Sequence, residues 1–214
     1  TERLMTGEQQ RLTSALGNTG DAIQRHNDAL ATASDDIRSA AQPIADGLAE
    51  VRRASEEQRL ALATLSESLA QQRLMLTTAE SCTGGGIAET LTGIAGASAW
   101  FDRGFVTYSN EAKQEMLGVQ PATLEASGAV SEAAALEMAR GAISHSRSHV
   151  SVAVTGIAGP DGGSLDKPVG TVWIAWGQKL GYAEARRFQF DGDRNAVRQQ
   201  TIHEAILGLN ARLK

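Results

Sequence analysis

From residue 16 to residue 51 a large aliphatic side chain recurs at every seventh position: Leu16, Ile23, Leu30, Ile37, Ile44 and Val51. Three places after the last four of these come Ala33, Ala40, Gly47 and Ala54. Large aliphatics at one core position and small residues at the other define a heptad, and the spacing predicts helix across residues 1–55. The apolar stripe is thin, so a lone helix of this kind would be marginal in water. The seven-residue spacing runs on through Pro43, which predicts a kink or a restart without a change of face. Gly17 and Gly20 predict fraying or a break. Residues 56–72 continue as helix with a wider apolar face (Leu60, Leu62, Leu65, Leu69, Ala70), as expected of a helix packed on a neighbouring domain.

After Arg73 the period changes. Short apolar runs alternate with helical patterns. The spacing predicts strands at Leu74–Thr78, Phe105–Ser109 and His149–Thr155. It predicts helices at Gly84–Leu91, Asn110–Leu117, Pro121–Ala126 and Ser131–Ser146. Ser131 is placed to cap the last of these, with Ala135, Met138, Ala139, Ala142 and Ile143 inward. Gly170–Gly177 and Tyr182–Asp191 read as an antiparallel strand pair, and Asp193–Leu213 as a closing helix with Val197, Ile202, Ala205, Ile206 and Leu209 inward. The pattern predicts an α/β class: a mixed sheet with helices on both faces, an α/β/α sandwich, preceded by a long N-terminal helical extension. The division expected is 1–55 for the extension and 56–214 for the α/β domain.

Composition narrows the classes of function. No apolar run approaches the roughly 20 residues needed to span a bilayer, and no signal peptide is visible at the start. The chain opens on Thr1, which leaves room for a longer parent chain. The one cysteine, Cys82, excludes an internal disulfide and suggests a reducing, cytoplasmic setting. A net charge of −5 without a basic stripe argues against nucleic acid. The four histidines and Cys82 have no zinc-type spacing, so no metal is expected. His145 and His149 read as solvated or capping residues. All nine aromatic residues lie at or after Trp100. The extension therefore carries nothing that does chemistry, and reads as a linker or an oligomerising segment.

Three turns rich in glycine and hydroxyl residues follow strands: Ser81-Cys82-Thr83-Gly84-Gly85-Gly86, Thr155 to Ser164 and Gly192-Asp193-Arg194. In α/β sheets ligands bind where such loops converge. None of the three is a Walker sequence or a full dinucleotide fingerprint. Together they suggest a small phosphorylated ligand. Between them lie Ser98, Tyr108, Ser109, Asn110 and Lys113. A nucleophilic serine needs a base, and no histidine presents itself. A lysine kept neutral by burial can serve, with a tyrosine as proton relay. The plainer readings stay open: Lys113 as an exposed helix lysine, Ser98 as a helix cap, and Cys82 as a small packing residue, not a nucleophile at a helix start.

The motifs Thr77-Thr-Ala-Glu-Ser-Cys-Thr-Gly-Gly85, Ala99 to Lys113, Gly128-Ala-Val-Ser-Glu132, Thr155 to Gly163, Lys167 to Trp173 and Gly192-Asp-Arg194 resemble those of the CinA (competence/damage-inducible) C-terminal domain family. Members of that family that occur alone act as nicotinamide mononucleotide deamidases. The resemblance implies hydrolysis of the nicotinamide amide to nicotinate mononucleotide and ammonia, with no cofactor and no metal. By motif position it implies Ser98 as nucleophile, Tyr108 and Lys113 as activating groups and Ser81 as a second active-site hydroxyl. The choice of nucleophile between Ser98 and Ser81 stays open. Thr83, Gly84, Thr155, Gly156, Gly159 and Arg194 would line the ligand site, Arg194 as a phosphate partner. The family often has two serines before the Ala-Trp pair, whereas this chain has Ala97 and Ser98. The nucleotide-related domain of larger members is absent, so pyrophosphatase activity is not expected. The partners expected are the mononucleotide and other copies of the chain, with no nucleic acid and no membrane. The alternative is a non-catalytic nucleotide-binding or scaffolding domain displayed on an oligomerising helical stalk.

Overall fold

The structure, a computed structural model, describes residues 2–213, with side chains from Thr6 onward. The heptad stretch and its continuation form one helix, α1 (Glu2–Gln72). The breaks expected at Gly17 and Gly20 are absent, and Pro43 also lies inside the helix. Each glycine costs only ~1 kcal/mol in a helix interior, less than propagation through long flanking helical segments recovers. The chain divides into two compact units, 1–56 and 57–214. In the first, Leu16, Ile23, Leu30, Ile37, Ile44 and Val51 all point to solvent.

The second unit is built on five strands: β1 (Leu76–Glu80), β2 (Phe101–Val106), β3 (Val150–Gly156), β4 (Thr171–Gln178) and β5 (Ala183–Gln189). Their order is β2-β1-β3-β4-β5. β1 runs parallel to both β2 and β3, while β4 is antiparallel to β3 and to β5. The helices are α2 (Gly86–Thr92), α3 (Asn110–Leu117), α4 (Pro121–Ser127), α5 (Glu132–Ser144) and α6 (Arg194–Arg212). Two cores follow from strand alternation. On one face Leu65 and Leu69 of α1, Ile87 and Leu91 of α2, and Ile206 and Leu209 of α6 pack on Leu76, Val152 and Ile174. On the other, Leu117 of α3 and Met138 and Ala142 of α5 pack on Ala79, Phe105 and Ala153. The mixed sheet with helices on both faces is therefore as expected.

The first two strands differ from the sequence expectation in their bounds. β1 begins two residues later than expected, at Leu76, and β2 begins at Phe101 instead of Phe105. The reason is tertiary. β2 is an edge strand whose polar Asp102 and exposed Arg103 and Gly104 hide its period, and its ladder to β1 sets its start. Gly104 is needed there because a Cβ would come within 2.9 Å of the Thr78 hydroxyl and 3.0 Å of the Ala88 methyl, which would push α2 off the sheet. Thr107 to Ser109, expected as strand, form the loop into α3, because Ser109 caps that helix. The parallel order brings the C-terminal ends of β1, β2 and β3 together at one edge of the domain.

Candidate active site

Ser81 follows β1 directly, and its N–H donates to the Val154 carbonyl of β3 at 3.0 Å. The next parallel strand leads into α3, whose first turn is fixed when the Ser109 hydroxyl accepts from the Ala112 N–H at 3.0 Å. One helical turn on, Lys113 reaches back under the strand ends. Its Nζ lies 3.0 Å from Ser81 Oγ and donates to the Thr107 carbonyl at 2.8 Å. The carbonyls of Tyr108 and Ser109 stand at 3.5 Å. Lys113 is 1 % exposed and Ser81 9 % exposed. Among the described residues no carboxylate pairs with this lysine. Burial therefore dominates and pushes its pKa below the ordinary lysine value. The reading of Lys113 as an exposed helix residue is thereby excluded. Burial also drives the Cys82 thiol up to about 12, so this cysteine is a neutral packing group.

The start of α2 is occupied by a residue that the motif contains but the sequence reading passed over. Glu80 is fully buried at the end of β1. Its Oε2 accepts from the Thr83 hydroxyl at 2.6 Å, the Gly85 N–H at 3.1 Å and the Ile87 N–H at 2.9 Å. Its Oε1 accepts from the Ala88 N–H at 2.8 Å and the Thr78 hydroxyl at 3.2 Å. The first N–H groups of a helix need an acceptor and favour negative charge. Here the chain's own carboxylate supplies both. An external anion is thus not needed at that helix start, and Thr83 turns its hydroxyl inward to Glu80, away from any ligand. The clamp leaves the turn from Ser81 to Gly85 held at both ends, by the Ser81 N–H on β3 and by Glu80 on α2. Gly84 (φ 60°) and Gly85 (φ 98°) adopt the left-handed conformations this tight turn requires.

The other loops close around this centre. Arg194, the first residue of α6, donates to the Gly159 carbonyl at 2.7 Å and to the Tyr108 hydroxyl at 3.1 Å. One turn later Arg198 donates to the Thr83 carbonyl at 2.8 Å. Thus the loops after β1, β2 and β3 and the start of α6 are joined by two arginines. Thr155 is buried with its hydroxyl on the Ala129 carbonyl at 2.8 Å, and Gly156 has no room for a Cβ against Val172. Both shape the wall from beneath. Tyr108 is 63 % exposed, and its hydroxyl pairs with Arg194 and not with Lys113, which bonds only its backbone.

Ser98 lies elsewhere. It is exposed, in a single 3-10 turn (Ala97–Ala99) ahead of β2, and so belongs to the N-terminal ends of the parallel strands. β1 separates the two ends by roughly 15 Å, at about 3.3 Å per residue. The structure thus parts Ser98 from the base that the sequence reading gave it, and puts Ser81 there instead. A spacing argument could not see this, because Ser98 is nearer to Lys113 in sequence but on the far side of a strand. Of the residues the reading missed, Glu80 carried a signal, an acid immediately before a glycine-rich helix start. Arg198 carried only its place one turn after Arg194. No group of three or more His, Cys, Asp or Glu among the described residues is arranged to hold a metal.

Fold and site together define a three-layer α/β domain with a serine and a buried lysine at the ends of its parallel strands. The sequence model of the CinA C-terminal domain matches residues 58–213, and the chain belongs to that family. It is 57 % identical over 129 residues to nicotinamide-nucleotide amidohydrolase PncC of Escherichia coli K12, covering 60 % of this chain and 78 % of that protein. The corresponding protein of Pseudomonas putida is 56 % identical over 132 residues, 62 % of this chain and 82 % of its own. Among solved structures, the competence/damage inducible protein CihA of Agrobacterium tumefaciens superposes with a TM-score of 0.69 at 48 % identity, over 72 % of this chain and 94 % of that one. A CinA superfamily protein of Klebsiella pneumoniae gives 0.70 at 39 % identity, over 73 % and 97 %.

Proposed function

We propose that this protein is a nicotinamide-nucleotide amidohydrolase that converts nicotinamide mononucleotide to nicotinate mononucleotide and ammonia, with Ser81 as nucleophile and Lys113 as its base. The observation that carries the reading is the 3.0 Å contact between Ser81 Oγ and the Nζ of a lysine that is almost wholly buried and has no carboxylate partner among the described residues. A lysine held toward neutrality can take a proton from a serine as the new C–O bond forms. In the proposed course Ser81 Oγ attacks the carboxamide carbon while its proton passes to Lys113. Collapse of the tetrahedral intermediate breaks the C–N bond, and Lys113 returns the proton to the departing ammonia. Water then attacks the resulting ester with Lys113 again as base, releasing the nicotinate carboxylate and restoring Ser81.

The N–H groups of Cys82 and Thr83, directly after the nucleophile, are the proposed donors to the oxyanion. Glu80 and the hold of Arg198 on the Thr83 carbonyl keep that turn in place. Arg194 at the start of α6 is the proposed partner of the phosphate, and Tyr108 beside it a rim contact. This role for Tyr108 replaces proton relay, since its hydroxyl faces the arginine. Self-association and a cytoplasmic setting belong to the same proposal. Incubation with nicotinamide mononucleotide should yield nicotinate mononucleotide and ammonia in equal amounts by mass spectrometry and ammonia assay. Binding without turnover would instead support the non-catalytic alternative, and full turnover by Ser81→Ala would remove Ser81 as nucleophile.

A further inference from the structure

The aliphatic stripe of α1 is not used by any contact within its own unit. Leu12, Leu16, Ile23, Leu30, Ile37, Ile44, Leu48 and Val51 each keep 56–70 % of their surface exposed. They lie on one face along roughly 60 Å of helix, at about 1.5 Å per residue. Their flanks are unusual. The positions just before the first three heptad aliphatics are Ala15, Ala22 and Ala29, and those just after the second core position of each heptad (Thr19, His26, Ala33 and Ala40) are Gly20, Asn27, Ser34 and Ala41. From residue 12 to residue 34 the flanking residues are uncharged, and the charges of this segment, such as Asp21, Arg25 and Asp28, lie on the outer face.

We propose that this segment pairs with the same segment of a second copy as an antiparallel coiled coil, in the register that sets Ile37 against the partner's Ala33. The proposal deepens the self-association named above and does not depend on the amidohydrolase reading. It follows from volume. In a parallel in-register pair, layers of two large aliphatics would alternate with layers of two small residues such as Ala33, Ala40 and Gly47. One spacing between backbones cannot close both kinds of layer, since side chains at the contact set the interaxial distance. An antiparallel pair can instead set a large position against one of the partner's small positions, so that such a layer holds one of each. The register given does this for Leu16, Ile23, Leu30 and Ile37: Leu16 meets the partner's Ala54, Ile23 the partner's Gly47 and Leu30 the partner's Ala40. Ile44 meets the partner's His26 and Val51 the partner's Thr19. The same register lays Leu48 beside the partner's Gly20. A like-charge contact at the flanks, Asp36 with its own symmetry mate, falls on the exposed rim where solvent screens it.

The area is sufficient. At about 100 Å² of apolar surface per aliphatic side chain, the six heptad aliphatics alone would cover roughly 600 Å² per copy. For the two copies together that is about 1,200 Å², the lower bound of specific interfaces. No partner of different shape or charge is called for, because the stripe is complementary to itself.

Disulfide trapping in the full-length chain tests the register. Cys82 is buried and its thiol is held neutral, so it can remain in place. Ser34→Cys stands at the centre of the proposed pairing, opposite its own copy, and most of the chain should be trapped as a covalent dimer under mild oxidation. Ala54→Cys would lie about 57 Å from its own copy along the axis, at 1.5 Å per residue, and should not be trapped. The outward-facing Asp21→Cys is the background control. Leu30→Gln with Ile37→Gln, added to Ser34→Cys, should abolish trapping while the unfolding of the 57–214 unit is unchanged. Trapping of Ala54→Cys at the level of Ser34→Cys would establish a parallel pair and overturn the proposal. Trapping of Ser34→Cys no greater than that of Asp21→Cys would overturn pairing itself.

Discussion

Replacing Glu80 by glutamine removes one oxygen and leaves the size of the side chain unchanged. Five donors converge on the carboxylate, three on Oε2 and two on Oε1. A side-chain amide has one acceptor oxygen and a group that can only donate. The cheaper orientation puts the NH2 where Oε1 was. The Thr78 hydroxyl can then turn to accept, and the Ala88 N–H is left without a partner in a buried site. An orphaned buried N–H costs about 1–3 kcal/mol, and the remaining bonds weaken because a charged acceptor is roughly twice as strong as a neutral one. A total near 3 kcal/mol is expected, which for a unit of this size lowers the midpoint of thermal unfolding by about 6–12 °C. The turn that carries Ser81 hangs from the same clamp. A shift of that turn by a fraction of an ångström to about 1 Å should lower kcat by roughly ten- to a hundredfold. KM should change little, because Glu80 is buried beneath the ligand surface. Thermal unfolding followed by circular dichroism, with steady-state ammonia release, measures both effects. A Glu80→Gln protein with parent midpoint and parent kcat would refute the view that this carboxylate holds the site together.

The remaining predictions concern the two candidate serines and the charged groups near Ser81. Ser98→Ala should retain parent kcat and KM, whereas Ser81→Ala should lose turnover; ammonia release by the two variants separates the readings directly. Lys113→Met should lower kcat by about 10²–10⁴, the usual worth of a positioned base, with stability maintained or raised in denaturant titration because an unpaired buried amine is removed. The lowered lysine pKa also gives a sign for pH. Base catalysis needs the neutral amine, so kcat/KM should climb as pH rises through the depressed Lys113 value and then level off. The folded pKa lies below the unfolded one, so between them the unfolded chain binds more protons and Lys113 contributes a rise of stability with pH. A pH–rate profile that is flat, or falls with rising pH across that window, would contradict the assignment. Arg194→Ala should raise KM for the mononucleotide far more than it changes kcat, and the effect should vanish for the nucleoside, which lacks the phosphate.

Much of this protein is readable without coordinates, because local periodicity reports burial. The heptad of the first 56 residues, the cap at Ser131, the inner faces of α5 and α6 and the β-branched run of β3 are all consequences of short-range pattern. The three hydroxyl- and glycine-rich turns could be picked out for the same reason, since a turn needs particular residues whatever surrounds it. The pairing of a serine with Lys113 is of another kind. Ser81 is separated from Lys113 by 32 residues and Ser98 by 15, yet the nearer one in sequence is the farther in space. Parallel strands place residues that follow them at one end and residues that precede them at the other, and no pattern within either segment states which strands are neighbours. The burial that lowers the pKa of Lys113 depends on β2, β1 and α3 meeting, as does the convergence of five donors on Glu80. Sequence determined the elements and the residue types available for chemistry. Tertiary structure decided which serine lies beside the lysine, because desolvation and proximity are properties of the packed chain.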